Sequence, residues 1–392
     1  MSEVLPPLTI APARPAAAVV LWRRGPAGLE VFWVRRGDQL KFAGGFYAFP
    51  GGRVDDTDAQ VPVRHLASPD DRALIASAAR ELFEETGVLA APGASRVPLG
   101  QRKAMRERLL ARPPKGALKP TTSVFGDFLA LHELHLDARL FSLCGRWITP
   151  TPLPARFDAR FYLAELPQGE AAEVWPGELA DGEWITPARA LEHWESGKAL
   201  LHPPAWHTLK VLELPATQAD PRSQLGLFND PQGAPWRLPM DAHVVKRMEF
   251  QRGVWMVPLR SPTLPPATHT NCMLLGDDEL FIVDPGSPWA SEQALLDEAL
   301  ADLATQGKRP KGILLTHHHY DHVAGAMPLS ARLGLPIAAH KDTAALLAGE
   351  VRVDRLLLDG ERLGVSKRDW QLLHLPGHTQ GHVCLMQDES HA

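Results

Sequence analysis

A cluster of four histidines and one aspartate lies in the stretch "ILLTHHHYDHVAG", directly after a short apolar run. His317 and His319 alternate, so an extended loop would direct both side chains to the same side, and Asp321 and His322 come next to face a neighbouring position. Imidazole and carboxylate ligands at this spacing suit Zn²⁺, and Fe or Mn would also suit such a set. The spacing therefore predicts a metal centre at the end of a strand, and a chance group of core histidines is the weaker interpretation.

A second set of metal-binding side chains occurs in the stretch "RELFEETGV", which begins at Arg80. In a helix, Glu81, Glu84 and Glu85 fall on one arc of about 100°, roughly opposite apolar side chains such as Leu82. Three carboxylates at this spacing repel one another, and Mg²⁺ or Mn²⁺ would remove the repulsion because hard cations favour oxygen ligands. The alternative interpretation is an ordinary solvated acidic face.

The loop "FYAFPGGRVDDTD" favours phosphate binding, because Gly51 and Gly52 let the backbone pass close to a bound anion. Together with the acidic helix, this loop resembles the sequence box of the Nudix hydrolases, with Asp58 at the position of the family's first glutamate. Residues 59–79 separate Asp58 from Arg80 and make the box longer than usual. An enlarged box of this kind resembles the branch of the family that includes peroxisomal coenzyme A diphosphatases.

The resemblance to Nudix hydrolases implies an α/β/α sandwich and Mg²⁺-dependent hydrolysis of a nucleoside diphosphate linked to another moiety. Coenzyme A and acyl-coenzyme A are among the substrates to consider. In that family the box glutamates hold the metal, the arginine orients them and the glycines contact the substrate. The residues that would take these roles are Glu81, Glu84, Glu85, Arg80, Gly51 and Gly52. No motif identifies the general base, and Glu178 and Glu183 are interpreted as surface acids.

The histidine cluster resembles the His-x-His-x-Asp-His motif of the metallo-β-lactamase fold. Further similarity lies upstream in "TNCMLLGDDELFIVDPGSP" and downstream in "LPGHTQGHVCL". The resemblance implies a first metal position formed by His317, His319 and His378, and a second that begins with Asp321 and His322. A hydroxide that bridges two metals would then attack thioesters, phosphodiesters or lactams.

The second metal position is expected to be incomplete. The family needs a later bridging aspartate and a final histidine, each at a strand end beyond the point that "HVCLMQDESHA" reaches. We therefore expect an incomplete αββα domain that binds at most one metal ion tightly, is a poor hydrolase and exposes an apolar edge at "HVCLM". His318 stands on a variable position of the motif and is not expected to bind metal.

The elements that must position these residues follow from local patterns. Two strands joined by the turn "RRGPAG" open the chain. A serine cap, a following proline and a terminal glycine predict a helix over 69–86. Helices are also expected at 100–111 and 123–135, and the inserted segment 57–70 is expected to be a surface loop.

The chain is expected to hold two domains of the α/β (α+β) class, because 392 residues exceed one ordinary core. We predict a Nudix-like domain over 1–214, a linker rich in proline and glutamine over 215–252, and the first part of a metallo-β-lactamase-like domain over 253–392. Rival interpretations are a thioesterase or nuclease, in a longer native chain, whose main activity lies at the histidine site, and an inert module that only binds a nucleotide.

The expected partner is a small-molecule diphosphate. A net charge of −5 gives no general attraction for nucleic acid, although the second domain is not excluded from binding it. The basic run "QRKAMRER" is interpreted as a solvated helix face. No apolar run is long enough to span a bilayer, so we expect a cytoplasmic protein without a membrane partner, which could form an oligomer.

Overall fold

The first part of the chain forms an eight-stranded mixed sheet. The computed structural model describes residues 10–40, 43–111, 122–151, 153, 155–175, 177–229, 247–264, 267–365 and 370–387. The strands of this part are β1 (Arg14–Gly25), β2 (Gly28–Arg36), β3 (Phe46–Ala48), β4 (Gly51–Arg53), β5 (Val63–Arg64), β6 (Leu136–Asp137), β7 (Ser142–Ile148), β8 (Phe157–Glu165), β9 (Leu179–Ile185) and β10 (Leu200–Leu201).

The strand order in this sheet is β10-β3-β2-β1-β8-β7, with β4 paired to β1 and β9 paired to β2. The predicted opening hairpin is confirmed, since β1 and β2 pair antiparallel around a tight turn. β5 and β6 form a separate two-stranded sheet. The helices are α1 (Arg72–Thr86), α2 (Leu99–Leu110), α3 (Val124–Leu131), α4 (Pro187–Ser196), α5 (Pro203–Leu212), α6 (Pro215–Ala219) and α7 (Leu225–Asn229).

Alternation along the central strands produces two cores, one on each face of the sheet. Val19 and Leu21 point into the core that contains α1, α2 and α3. Val20 and Trp22 point to the opposite core, which contains α4 and α5. Side chains in a strand alternate between faces, so these neighbouring apolar residues serve different layers. The predicted α/β/α sandwich is confirmed.

Helix α1 carries the predicted acidic face because its ends are set by local signals. The Ser68 hydroxyl accepts a hydrogen bond from the Asp70 amide, and a 3-10 turn over Pro69–Asp71 leads into the helix. Gly87 ends it in the left-handed conformation, with φ of 72°. Leu82 and Phe83 are fully buried against the sheet, which turns the glutamates outward.

The inserted segment 57–70 is only partly a surface loop. Most of its side chains reach solvent, but Asp58 and Val61 are fully buried, and Val63–Arg64 pairs with β6. The expectation of a simple surface loop was therefore wrong, because the segment carries one buried carboxylate into the first core. The helix expected over 123–135 is shorter and ends at Leu131.

The first part of the predicted linker is helical. Residues 215–229 form α6, a 3-10 turn and α7, and Phe228 is buried in the core beside β7. Residues 230–246 lie outside the described residues, and 248–251 form a strand of the second sheet. The proline-rich composition led to the prediction of a linker. A proline is nevertheless compatible with the first turn of a helix, as at the start of α6. The division of the chain into domains stays a prediction.

The second part of the chain contains a seven-stranded sheet in the order β11-β12-β13-β14-β15-β16-β17 and a three-stranded sheet of β18, β19 and β20. The strands are β11 (Met248–Gln251), β12 (Val254–Arg260), β13 (His269–Leu275), β14 (Glu279–Val283), β15 (Arg309–Leu315), β16 (Ile337–His340), β17 (Arg355–Leu357), β18 (Arg362–Leu363), β19 (Trp370–His374) and β20 (Val383–Gln387). The helices are α8 (Ala290–Ala304), α9 (Tyr320–Val323), α10 (Ala326–Leu333) and α11 (Lys341–Leu346).

These elements form three layers. Leu280 and Ile282 of β14 pack toward α8 and α10, whereas Phe281 and Val283 pack toward the three-stranded sheet. β14 to β17 run parallel, so the loop after β15 lies at the carboxyl edge of the sheet, where α/β folds place sites. The partial αββα arrangement is confirmed. None of the helices in the described ranges has the length and apolarity to cross a bilayer.

Candidate functional site

The three glutamates of α1 line a cavity of about 770 Å³ beside the first sheet. We call Glu81, Glu84 and Glu85 the acidic centre. The cavity also contacts β3, β4, the β7–β8 connection and the start of α5. Its polar lining residues around the acidic centre are Arg36, Arg53, Arg80, Arg106, Asp55 and Glu178. The structure therefore brings the predicted carboxylates together with several guanidinium groups.

Arg80 organises the acidic centre through the buried Asp58. Its Nε and Nη2 donate to the two Asp58 carboxylate oxygens, each at 2.9 Å. Its Nη1 donates to Glu81 at 2.9 Å and to Glu84 at 3.1 Å. A bidentate pair of this kind fixes the plane of the guanidinium. The role of Asp58, which the sequence left open, is therefore to hold Arg80 against the two glutamates.

Gly51 and Gly52 stand close to the carboxylates. The Gly51 amide donates to Glu85 at 2.9 Å, and a Cβ added at Gly52 would lie 2.4 Å from the Glu81 carboxylate. A Cβ at Gly51 would meet the Ala17 carbonyl oxygen at the same distance. Both glycines line the cavity, and both are needed for close packing of β4. Their contact with substrate stays a prediction.

Electrostatics favour a cation in the acidic centre. Burial, followed by repulsion from Glu81, raises the pKa of Glu85 to about 8. Burial also raises the pKa of Glu81 to about 7, and it raises that of Glu84. Arg80 lowers the pKa of Glu81 and Glu84 but does not offset burial. Three carboxylates that resist ionisation when buried together form a donor set that fits a hard divalent ion.

The histidine centre consists of three imidazole nitrogens that converge on one point. His317 Nε2 and His378 Nε2 each lie 3.1 Å from His319 Nδ1. Tetrahedral zinc with Zn–N bonds of about 2.0 Å places its ligand atoms about 3.3 Å apart. The observed separations are close to that value, so the donor set fits zinc.

A hydrogen-bonded chain orients His317 and the neighbouring His322. Thr316 Oγ1 donates to Asp284 at 2.6 Å and lies 2.9 Å from His317 Nδ1, which leaves His317 Nε2 for the metal. Asp284 also lies 2.8 Å from His322 Nδ1, and His322 Nε2 lies 3.8 Å from Asp321. Asp284, His317 and His322 form a second group whose ligand atoms lie within 4.8 Å of one another, and Asp321 lies beside His322. The assignment of Asp321 and His322 to a second metal position stays a prediction.

The protonation of the histidine centre also suits metal binding. Burial, followed by the neighbouring imidazoles, lowers the pKa of His317 to about 3, and burial lowers that of His319. Burial also acts against the charged form of His322, but the Asp284 carboxylate outweighs it and raises the pKa. Metal ions bind the neutral imidazole, so His317 and His319 are ready to bind without losing a proton.

Known proteins resemble the two parts of the chain separately. Residues 265–390 match the metallo-beta-lactamase superfamily. The chain is 36% identical over 117 residues to hydroxyacylglutathione hydrolase of Acidiphilium cryptum, a match that covers 30% of this chain and 47% of the relative. The chain thus spans about half the length of such relatives.

The other part resembles Nudix proteins. The chain is 30% identical over 203 residues to putative nudix hydrolase 7 of Caenorhabditis elegans, which covers 51% of this chain and 60% of the relative. The chain thus joins a region similar to Nudix hydrolases to a region similar to metallo-β-lactamases. A solved NUDIX hydrolase from Alicyclobacillus acidocaldarius aligns with 29% identity and a TM-score of 0.45 over 56% of this chain and 97% of that chain. Below, the Nudix region denotes the described residues to 229, and the metallo-β-lactamase region those from 247.

The sequence interpretation missed the basic side of the Nudix cavity. Arg106 of α2 lines the cavity, donates to the Glu84 carbonyl and lies 5.3 Å from the Trp175 ring centroid. Arg102 is buried in a salt bridge with Glu170. The interpretation of this run as a solvated face was therefore wrong for these two arginines. Their i, i+4 spacing, which places them on one helix face, was the available signal.

Other polar residues have clear positions. Glu178 lines the Nudix cavity, whereas Glu183 accepts a hydrogen bond from the Trp33 indole at 3.3 Å. In the metallo-β-lactamase region, the ring of His382 lies 5.5 Å from that of His317, a neighbour that the motif "GHTQGH" could have indicated. The ring centroid of His318 lies 4.9 Å from that of His319, and the omission of His318 from the ligand set stays a prediction.

A third group of metal-binding side chains comprises His340, Asp342 and His374. The two imidazole rings stack at 3.9 Å with an interplanar angle of 19°. His374 Nε2 lies 2.7 Å from the Gln380 carbonyl, and His340 Nδ1 accepts from the Asp342 amide at 3.4 Å. Parallel rings direct their lone pairs alongside each other, not toward a common point. We interpret this group as a structural contact between β16 and β19.

Proposed function

We propose that the Nudix region hydrolyses the diphosphate bond of a nucleoside diphosphate linked to another moiety, with Mg²⁺ as its cofactor. The observation that carries this proposal is the convergence of three carboxylates on one cavity that also contains guanidinium groups. Mn²⁺ would fit the same oxygen donors. When bound, the cation would neutralise part of the diphosphate charge and help to orient the attacking water.

Side chains of the Nudix region would hold the cation, keep its ligands in position and bind the phosphates. Glu81, Glu84 and Glu85 would hold the cation, and Arg80 would keep Glu81 and Glu84 in position from its pair with Asp58. Arg106, on the cavity wall, would offer positive charge to the phosphates. Preorganised charges of this kind stabilise a phosphoryl transition state more than they stabilise the free substrate.

The test is a screen of nucleotide sugars, dinucleotides and coenzyme A esters with the full chain and Mg²⁺. We expect at least one compound to be cleaved at its diphosphate, with activity lost in EDTA and restored by Mg²⁺. Binding without Mg²⁺-dependent cleavage across the screen would overturn the proposal and favour the inert nucleotide-binding module.

We propose a second, slower activity for the metallo-β-lactamase region, namely hydrolysis of a thioester with a single bound metal ion. The converging nitrogens of His317, His319 and His378 support a zinc site, and the curated relatives are named hydroxyacylglutathione hydrolases. Hydrolysis of a hydroxyacylglutathione by the full chain, lost in His378→Ala, would support this activity. Equal rates in the two proteins would contradict it.

A further inference from the structure

Strand β11 of the metallo-β-lactamase region packs against the Nudix region. The Phe250 ring lies 5.2 Å from that of Phe46 and 5.4 Å from that of His202, edge-on to both. The Phe250 carbonyl accepts from the Trp194 indole at 3.0 Å, and the Gln251 amide group donates to the Gly197 carbonyl at 3.1 Å. These contacts fix β11 against β3, the start of α5 and the end of α4, and the first two of these border the Nudix cavity.

Met248 brings this strand into the cavity wall. Its side chain belongs to the same apolar cluster as that of Phe250, and it lines the same cavity as the acidic centre. Its side chain is buried beside Met256 of β12 and contacts Leu153 from the β7–β8 connection. Met248 of the metallo-β-lactamase region therefore forms part of the lining of the Nudix cavity.

The cavity is divided by chemistry. Carboxylates and guanidinium groups gather at α1, whereas the rest of the lining is largely apolar, including Trp147, Leu153, Phe157 and Phe161. A diphosphate at the charged part would leave the linked moiety against apolar side chains, where burial of carbon is favourable. Met248 belongs to this apolar wall, and a flexible thioether adapts to the group that it contacts.

We infer that Met248 is a specificity-determining residue of the Nudix cavity, which limits the size of an apolar group carried beyond the substrate's diphosphate. This inference rests on the proposed diphosphate hydrolysis. It assigns to the metallo-β-lactamase region a role in the reaction of the Nudix region that does not depend on its own histidine centre.

The test uses the full chain and two probes, the methyl ester and a long-chain alkyl ester of ADP on its terminal phosphate. We expect Met248→Ala to raise the ratio of kcat/KM for the long ester over the methyl ester by about tenfold, the effect of a methylene-sized change in an apolar pocket. Met248→Trp should lower the same ratio. Met256→Ala is the matched control, because Met256 pairs with Met248 across the strands but does not line the cavity.

An unchanged ratio in both Met248 variants, or an equal change in Met256→Ala, would overturn the inference while leaving the proposed hydrolysis intact. Binding of both esters by calorimetry in EDTA separates the two proposals. If the wild-type protein binds the esters without cleaving them when Mg²⁺ is added, the hydrolysis proposal fails, and the ratio of the two affinities in the same variants tests Met248. Failure to bind either ester would overturn the inference.

Discussion

Individual side chains in the two centres differ in the protonation state that the fold favours. In the acidic centre, burial raises the pKa of Glu85 to about 8 and that of Glu81 to about 7, so protons compete with a cation for these oxygens. In the histidine centre, burial lowers the pKa of His317 to about 3, so the imidazole is already neutral. The affinity of the acidic centre for a cation should therefore still increase as pH rises above 7, whereas the affinity of His317 for a metal ion should not change in that range.

We predict that Glu84→Gln and Glu85→Gln each lower Mg²⁺-dependent diphosphate hydrolysis by at least about 100-fold, because each removes a charged ligand and leaves a neutral amide. Steady-state kinetics would measure the loss, and circular dichroism would check the fold. Glu107→Gln, which changes an exposed carboxylate on α2, is the matched control and should keep full activity. Full activity in Glu84→Gln would remove that residue from the metal site.

Without a bound metal ion, the raised pKa values of Glu81 and Glu85 should make the stability of the protein depend on pH. Glu81 and Glu85 have folded-state pKa values above their ordinary value of 4.5, so the folded protein binds more protons than the unfolded chain. Their favourable contribution is complete below 4.5 and is lost as pH rises through about 7 and 8. In EDTA, we expect Tm to fall between pH 6.5 and 8. His317, whose pKa is lowered from 6.5, titrates below this window.

Mg²⁺ should reduce this fall in Tm by neutralising the carboxylates, and Glu85→Gln should reduce it without metal. Thermal unfolding at several pH values, with EDTA or Mg²⁺, would measure both effects. A wild-type Tm that rises from pH 6.5 to 8 in EDTA would mean that the acidic centre is already compensated by its arginines.

At the scale of elements, sequence patterns predicted what local signals determine. A serine cap, a proline and a left-handed glycine set the ends of α1, and its periodicity set its acidic face. The partner of Arg80 could not be read in this way, because Asp58 is 22 residues away and reaches it only through the fold of the inserted segment. The short α6 and α7 were missed because their stability comes from packing, as for Phe228, and not from local propensity.

Asp58 of the inserted segment should contribute to both stability and Mg²⁺ binding. Asp58→Ala should lower the free energy of unfolding by about 3 kcal/mol, because it leaves the largely buried Arg80 without its bidentate partner. It should also weaken Mg²⁺ binding, since Arg80 would no longer be held beside Glu81 and Glu84. Denaturant unfolding and Mg²⁺ titration would measure the two effects. Asp70→Asn, an exposed change in the same segment, should alter both only slightly, and equal effects of the two changes would contradict the role of Asp58.

The loops after β15 and β19 meet in the histidine centre, so zinc should depend on both. We predict that the full chain binds one zinc ion tightly and that His378→Ala abolishes this binding, since three nitrogens converge on one point. His318→Ala, in the same loop but outside the ligand set, should retain the metal. Elemental analysis after dialysis would measure the number of zinc ions bound to each chain. Two tightly bound zinc ions would contradict the prediction and show that the second position is complete.

In the whole molecule, two candidate metal centres of different chemistry share one chain, and β11 of the second sheet packs against elements of the first. The sequence separated oxygen ligands from nitrogen ligands and assigned each to its own fold, because metal preference follows from side-chain type. Sequence patterns could not place Met248 in the Nudix cavity. Met248 belongs to a strand of the second sheet, and its position beside the first sheet depends on tertiary packing that no local pattern records. The two centres should be chemically independent, although Met248 of one region lines the cavity of the other.

The most direct measurement of diphosphate hydrolysis by the Nudix region uses a substrate found in the screen, which is cleaved in ¹⁸O-labelled water with Mg²⁺. Mass spectrometry of the products from the full chain, Glu84→Gln and His378→Ala would identify the broken bond and the centre responsible. We predict ¹⁸O in one phosphate product, loss of that product in Glu84→Gln and its retention in His378→Ala. Phosphate labelling that survives Glu84→Gln but disappears in His378→Ala would contradict the assignment of diphosphate hydrolysis to the Nudix region.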